Sequence, residues 1–366
     1  MRGIRFWNNS TGLLLALTLA LLAPANALPA RSVAAQGDEL PEPIELPEVD
    51  PLSITGDIAI AGSSTVEPVT VAMAARFSDD GYTGNIAVAE TGTSAGFERF
   101  CKEGSTDISN ASRAIKDSER ADCAAIGRDV LEFLIGIDAL TVAVSRDSFV
   151  DALTRSQLIA IFTGAVTQWN EVNPAWPAAT IQLFTPGTDS GTFDFFGEAV
   201  LGTQGVYKGR EARFGALLAP NPTISENDYT LVEGIRGSEN AIGYFGFAYF
   251  AGNEDTLKAV IIANDMTYDA DDNLIIIPAE QWEAEGIAYV APSRATAASG
   301  EYLLSRPLFI YSAASTLRDK PQVAAFVNYY LTNAEEVVAE EGYFPAGTEA
   351  LNAARQTWLG AMGLAE

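Results

Sequence analysis

From about residue 57 onward, strand-like runs alternate with helix-like runs. A chain with that alternation folds as layered α/β structure rather than as a bundle or a sandwich. "DIAIAG" (57–62) predicts a strand. "STVEPVTVAMAARFSDD" (64–80) carries apolar residues at helical spacing, with Pro68 in the first turn, where a missing N–H costs nothing. "NIAVAE" (85–90) predicts the next strand, "SAGFERFCKEG" (94–104) a short helix closed by Gly104, and "TDISNAS" (106–112) a strand or strand end. Farther on, "DALTVAVS" (138–145) and "RPLFIYSA" (306–313) predict buried strands. "TRSQLIAIFTG" (154–164) predicts a helix between a Thr154 N-cap and a Gly164 stop, and "DKPQVAAFVNYYLT" (319–332) a late helix. "NAIGYFGFAYF" (240–250), all glycine and aromatic character, suits packing against a cleft or a hinge. With 366 residues, 48% of them hydrophobic, the chain has enough apolar matter for two domains rather than one.

Three turns that lead from a strand into a helix share one chemistry. They are "AGSSTVEP" (61–68), "ETGTSAGF" (90–97) and "TPGTDSGT" (185–192), the last between "ATIQLF" and "FDFFGEAVLG". A helix N-terminus presents unpaired N–H groups and the positive end of its dipole. Glycine lets the backbone approach a ligand, and short hydroxyl side chains add donors, so such a turn can hold an anion with few formal charges. Each turn by itself is equally an ordinary Ser/Thr helix cap. Together, from different parts of the chain, the three could converge on one tetrahedral oxyanion. One fixed positive charge is expected beside them, and "NASRAI" (110–115) supplies Arg113 just past a strand end. A guanidinium can grip two oxygens of a phosphate or sulfate at once; the alternative for Arg113 is a surface salt bridge.

Much other chemistry is excluded. The chain has no histidine, which removes Ser-His-Asp and Cys-His hydrolases and the common His-based zinc sites. Its two cysteines, Cys101 and Cys123, allow one disulfide and no four-thiolate metal site. The turn at 185–192 lacks the lysine of a phosphate-binding G-x-x-x-x-G-K-[ST] loop. It also has Asp189 where a nucleophile elbow needs serine, and Ser190 has no usual base. We expect no cofactor and no metal.

At the N-terminus, Arg2 and Arg5 precede an apolar run from Leu13 to Ala23, and Ala25-Asn26-Ala27 fits an export cleavage site, giving an expected signal peptide over 1–27. The run is shorter than the about 20 residues that span a bilayer, and no cysteine near the cut offers a lipid anchor. Residues 28–55 are acidic and Pro-rich and read as a disordered tether. Net charge is −26, and removing the first 35 residues, which hold Arg2, Arg5 and Arg31 and no Asp or Glu, makes it more negative still. Bulk electrostatics therefore oppose nucleic acid and acidic membranes, without bearing on a small ligand in a local site.

With these residues in view, the chain resembles the periplasmic phosphate-binding proteins of ABC transporters, the PstS type, over roughly residues 57–366. The resemblance is carried by "GSSTV" (62–66), "GTSAGFERFC" (92–101), "TDISNASR" (106–113), "FTPGTDSGTFDFF" (184–196) and "AIGYFGFAYF" (241–250), whose order and spacing together are specific. It implies a two-lobed periplasmic-binding-protein fold of type II, each lobe a mixed sheet flanked by helices, with the ligand in the interlobe cleft. The lobes are expected at 57–138 plus 305–366, and at 139–304. The phosphate-binding set implied is Ser64, Thr65, the Val66 N–H, Thr93, Ser94, Arg113, Asp189, Ser190, Gly191 and Thr192. One branch of the family has Asp where Arg113 stands and Arg where Pro186 stands. This chain resembles the other branch, which leaves the acceptor of the ligand's proton between Asp189, Glu67 and Glu90. Cys101 and Cys123 bracket the Arg113 loop, so an exported chain of this type is expected to join them.

The function expected is an extracytoplasmic inorganic-phosphate receptor, periplasmic or extracellular and monomeric, that delivers its ligand to ABC permease membrane subunits without chemistry. The competing readings are a receptor for sulfate or another tetrahedral oxyanion, a weak secreted phosphatase, and a sensing or matrix protein that never meets a permease.

Overall fold

The computed structural model describes residues 41–365 except Asp189. The expected signal peptide, residues 28–40 of the expected tether, and Asp189 lie outside the described residues.

Strand β1 (Ile58–Gly62) leads through the first Ser/Thr turn into helix α1 (Glu67–Asp79), and β2 (Ile86–Glu90) leads through the second into α2 (Thr93–Glu98), which runs on as a π-helical turn, Arg99–Glu103. Gly104, with φ 64°, then ends it in the left-handed conformation that favours glycine. β3 (Ile108–Ala111) and α3 (Asp117–Ala125) follow. β4 (Val130–Ser145) is a single strand of 16 residues, so "DALTVAVS" is only its second half.

Beyond it come α4 (Arg155–Phe162), with Thr154 capping the Gln157 N–H as expected, and β5 (Gln182–Thr185), which feeds the third turn into α5 (Gly191–Leu201). α6 (Arg210–Leu218), β6 (Thr223–Ile224), α7 (Asp228–Arg236), β7 (Ala241–Gly246) and β8 (Leu257–Ala259) complete the middle of the chain. β9 (Ser305–Ala313), α8 (Pro321–Glu340), β10 (Phe344–Pro345) and α9 (Thr348–Ala361) close it. The glycine/aromatic run at 240–250 is a buried strand and a short helix, Phe247–Ala251; it does not line the cleft, but the Phe247 ring lies 4.8 Å from that of Phe344.

The principal sheet has the order β2-β1-β3-β9-β4-β7-β5-β6, with β8 and β10 also pairing β4. β4 organises it. Its residues 130–139 run antiparallel to β9, while Leu140–Val144 pair antiparallel with β7. One strand thus serves two sheets that are otherwise separate, and β4 is the crossing between two lobes. Each lobe has its own apolar core. One gathers Ile60, Val69, Phe77, Phe133, Ile310 and Phe326; the other gathers Val142, Phe162, Trp169, Phe196, Leu201 and Tyr244. Full burial of each such side chain contributes roughly 1.5–3 kcal/mol.

Residues 41–55 depart from the tether expectation. Pro51–Ser53 form a short 3-10 helix, Leu46, Val49 and Ile54 pack on the first core, and the Asn328 side chain donates to the Pro47 carbonyl. Three apolar side chains among prolines and carboxylates are enough to hold the segment down. No described helix is long and apolar enough to cross a membrane.

Candidate functional site

A cleft of about 690 Å³ opens at the crossing, and turns from both lobes line it. Ser63, Ser64 and Thr65 come from the first turn, Thr91 to Ala95 from the second, Ser112 and Arg113 from beyond β3, and Gly191 from the third. The second turn is positioned by close backbone approach: a Cβ at Gly96 would stand 2.6 Å from the Gly62 Cα, so α2 lies against β1 only because Gly96 carries no side chain.

The three turns offer different things. At the start of α1, the Thr65 N–H donates to Ser63 Oγ (3.2 Å), and the Val66 and Glu67 N–H groups donate to the Ser63 carbonyl (3.2 and 3.0 Å). Pro68 has no N–H, so this turn spends the Thr65, Val66 and Glu67 donors on itself and shows the cleft the hydroxyls of Ser63, Ser64 and Thr65. Val66 is fully buried and is not a lining residue. At α2 the first-turn N–H groups of Thr93, Ser94 and Ala95 have no acceptor among the described residues and stand at the cleft wall. At α5, Ser190 caps the helix by accepting from the Thr192 N–H (3.2 Å), while the Gly191 N–H has no acceptor among the described residues. Gly191 lines the cleft; Ser190 and Thr192 do not.

Arg113 stands at the cleft wall, its side chain 30% exposed, and is both things the sequence allowed: a lining residue and a salt-bridge partner. Its Nη1 and Nη2 donate to the Glu119 carboxylate at 2.8 and 2.7 Å, Nη2 also to Ser94 Oγ at 3.1 Å. Burial works to raise the Glu119 carboxyl, but the hydrogen bonds from Arg113 and the Lys116 N–H prevail and hold it below the usual carboxylate range. Cys101 and Cys123 form a disulfide that ties the turn after α2 to α3 and closes the loop carrying Arg113.

Sequence reasoning missed part of the site. Arg306, Arg210, Arg213, Asp194 and Glu198 also line the cleft, and Asp138 supports Arg306. Asp194 and Glu198 project from α5 and share the buried Arg213, whose Nη2 is 3.1 Å from Glu198 Oε1 and 3.7 Å from Asp194 Oδ1. Burial and Asp194 push the Glu198 carboxyl up, against the pull of Arg213 and Arg306. Glu67 and Glu90 do not line the cleft, although burial and the charge of Glu90 push the Glu67 carboxyl up. The available signal was a charge heading an apolar strand run: Asp138 begins "DALTVAVS" and Arg306 begins "RPLFIYSA".

Free helix-terminal N–H groups, hydroxyls and guanidinium groups surround a polar space, and the described residues contain no cluster of metal-ligating side chains.

A PBP superfamily domain model matches residues 47–334. SphX of Synechocystis is 38% identical over 308 residues, covering 82% of either chain. The phosphate-binding protein PstS of Staphylococcus saprophyticus is 31% identical over 289 residues, 79% of this chain and 80% of that one. Among solved structures, that of a "possible phosphate binding protein" from Planctomyces limnophilus superposes with a TM-score of 0.71 at 35% identity, over 84% of this chain and 99% of its own. The fold and the coverage agree, and the chain belongs to the PBP superfamily, in the family of PstS-type phosphate-binding proteins.

Proposed function

We propose that this chain is the extracytoplasmic receptor that binds inorganic phosphate between its lobes and hands it to the membrane subunits of an ABC permease. The observation that carries the reading is the convergence on one cleft of the free N–H groups at the start of α2, the Gly191 N–H, the hydroxyls of Ser64, Thr65, Thr93 and Ser94, and Arg113. These are donors in number, and donors are what a tetrahedral oxyanion requires. Ser190 and Thr192 stand one residue away on either side of Gly191 and join the set when the lobes close. The lobes divide near residues 138 and 305, where β4 passes from one core to the other and the chain returns to the first core at β9. The relatives' names support phosphate as ligand.

Phosphate near neutral pH still carries a proton and needs an acceptor; sulfate does not. Asp189 is the acceptor we propose, with the cleft-lining carboxylates Asp194 and Glu198 as the alternatives. The chain acts as a monomer without cofactor, nucleic acid or chemical turnover.

Calorimetry of the secreted chain with phosphate, sulfate and arsenate tests the reading. One phosphate per chain, bound far more tightly than sulfate, is expected. Preference for sulfate would make it a sulfate receptor, and release of product from a chromogenic phosphate ester would make it an enzyme.

A further inference from the structure

Arg113 is not the deepest guanidinium in the cleft. Arg306, near the start of β9, pairs in register with Asp138 on β4, two residues before Leu140, where β4 changes partners from β9 to β7. It therefore sits on the floor of the cleft at the crossing between lobes. Its side chain is 11% exposed against 30% for Arg113, and Asp138 is 5% exposed. Nε donates to Asp138 Oδ2 at 3.0 Å. Nη2 donates to Thr65 Oγ1 in the first lobe and, at 3.4 Å, to the Gly191 carbonyl in the second. The guanidinium carbon lies 4.0 Å from the centroid of the Phe195 ring.

These contacts divide the guanidinium cleanly. Phe195 takes one face and fixes the plane. Asp138 takes the Nε edge. Nη1 is left without an acceptor among the described residues, in a residue that lines the cleft. A guanidinium has five N–H donors in one plane, and buried donors are normally all used. Thr65 and Gly191, which share Nη2, belong to two of the turns already assigned to the anion. The arginine thus stands where the first and third turns meet.

We propose that Arg306 is the inner anion clamp of the cleft: Nη1, joined by Nη2, binds oxygens of the tetrahedral oxyanion, while Asp138 and Phe195 hold the guanidinium in the plane that lets it do so. The proposal rests on the reading of the cleft as a phosphate site. It divides the fixed charge of the site between a wall residue, Arg113, and a floor residue that touches both lobes.

Phosphate calorimetry on wild type, Arg306→Gln and Arg306→Lys tests it. Arg306→Gln is expected to lose about a hundredfold or more in affinity, and Arg306→Lys about tenfold, since an ammonium keeps the charge but not the planar fork. A wild type that binds no phosphate would sink the functional reading itself. A wild type that binds, with Arg306→Gln within about threefold of it, would sink only the clamp. Loss of thermal stability with unchanged affinity would make Arg306 a structural strut and equally overturn the proposal. Arg306→Gln leaves Asp138 buried without its partner, so an Asp138→Asn/Arg306→Gln double variant keeps the shape without the charge, and the same loss is expected of it. A measurement on wild type needs no variant to fold well: the Arg306 side-chain N–H resonances, assigned by their disappearance in Arg306→Lys, are expected to shift on saturation with phosphate. Resonances that stay in place would refute the clamp.

Discussion

Replacing Arg113 by alanine tests how much of the proposed affinity comes from the cleft wall. The guanidinium is held by Glu119 through two bonds of 2.7 and 2.8 Å and by Ser94 at 3.1 Å. Phosphate must therefore use donors that Glu119 leaves over, or share them. A hydrogen bond to a charged group contributes about 1.5–3 kcal/mol. Breaking a fully buried pair costs about 3–5 kcal/mol, but Arg113 is nearly a third exposed, so the smaller figure applies. We expect Arg113→Ala to weaken phosphate binding by about 2–3 kcal/mol, roughly thirty- to a hundred-and-fifty-fold.

The substitution also strands Glu119, whose side chain is 15% exposed. Part of any loss would then be repulsion from an uncompensated carboxylate rather than the missing guanidinium. Arg113→Ala/Glu119→Gln separates the two: if the double variant recovers about half of the lost binding energy, Glu119 repulsion accounts for that half. Calorimetric titration with phosphate at fixed ionic strength measures both variants. An Arg113→Ala protein that binds within about threefold of wild type would show that the Glu119 pair is the whole role of this arginine.

Three further outcomes are expected. Asp189→Asn should shrink the phosphate-over-sulfate ratio by at least about tenfold, or about 1.4 kcal/mol, in paired titrations; unchanged selectivity would move the acceptor role to Asp194 or Glu198. Reducing the Cys101–Cys123 disulfide should lower stability by roughly 3 kcal/mol in the chain-entropy model while leaving one phosphate bound per chain, and a calorimetric melting temperature that ignores the reductant would refute this. Burial, then the charge of Glu226, pushes the Asp228 carboxyl up to about 6. The folded protein thus holds that proton more tightly than the unfolded chain, and stability falls as pH rises from about 4 to about 6. Asp228→Asn should therefore stabilise by at most about 2 kcal/mol at pH 7.5, after discounting for solvent, and by nothing at pH 4, as read by urea unfolding at the two values.

The order of elements was legible because each strand and helix of the first lobe carries its own local pattern. β1, α1, β2 and β3 fall within a residue or three of the runs that predict them. β4 was half hidden. Its first half, "VLEFLIGI", carries apolar residues at both buried and half-buried positions and so alternates poorly, and a strand of 16 residues lies outside the usual length. That β4 changes partners at residue 140 is a fact about pairing across more than a hundred residues, and no local window contains it.

The site divides the same way. Ser64, Thr65, Thr93, Ser94 and Gly191 were visible because glycine and hydroxyl residues at a strand-to-helix turn have a meaning that the turn itself supplies. Arg306 and Asp138 were not, since each is a single charge beside an apolar run and gains its role only from the other. Val66 illustrates the converse. Its N–H sits at a helix start, but the Ser63 carbonyl takes it, and that competition within the turn is decided by backbone geometry rather than residue type.

The charges at the cleft suggest how a chain of net charge −26 can hold an anion. Arg113 faces Glu119, Arg306 faces Asp138, Arg213 faces Glu198 and Asp194, and Arg210 approaches Asp194. No described arginine of the cleft is without a carboxylate, so the site carries little surplus positive charge to draw phosphate from a distance. Beyond about 8 Å the repulsion of the remaining carboxylates is itself screened at physiological ionic strength. Capture is thus left to short-range donors: the N–H groups opening α2, Gly191, the hydroxyls and the unused edges of the guanidinium groups. Those carboxylates hold the guanidinium groups in place before the ligand arrives, which lowers the ordering cost of binding. They also keep a bound phosphate from facing an overwhelming positive field. A receptor that must release its cargo to a permease needs both properties, and pairing every cleft arginine with a carboxylate supplies them together.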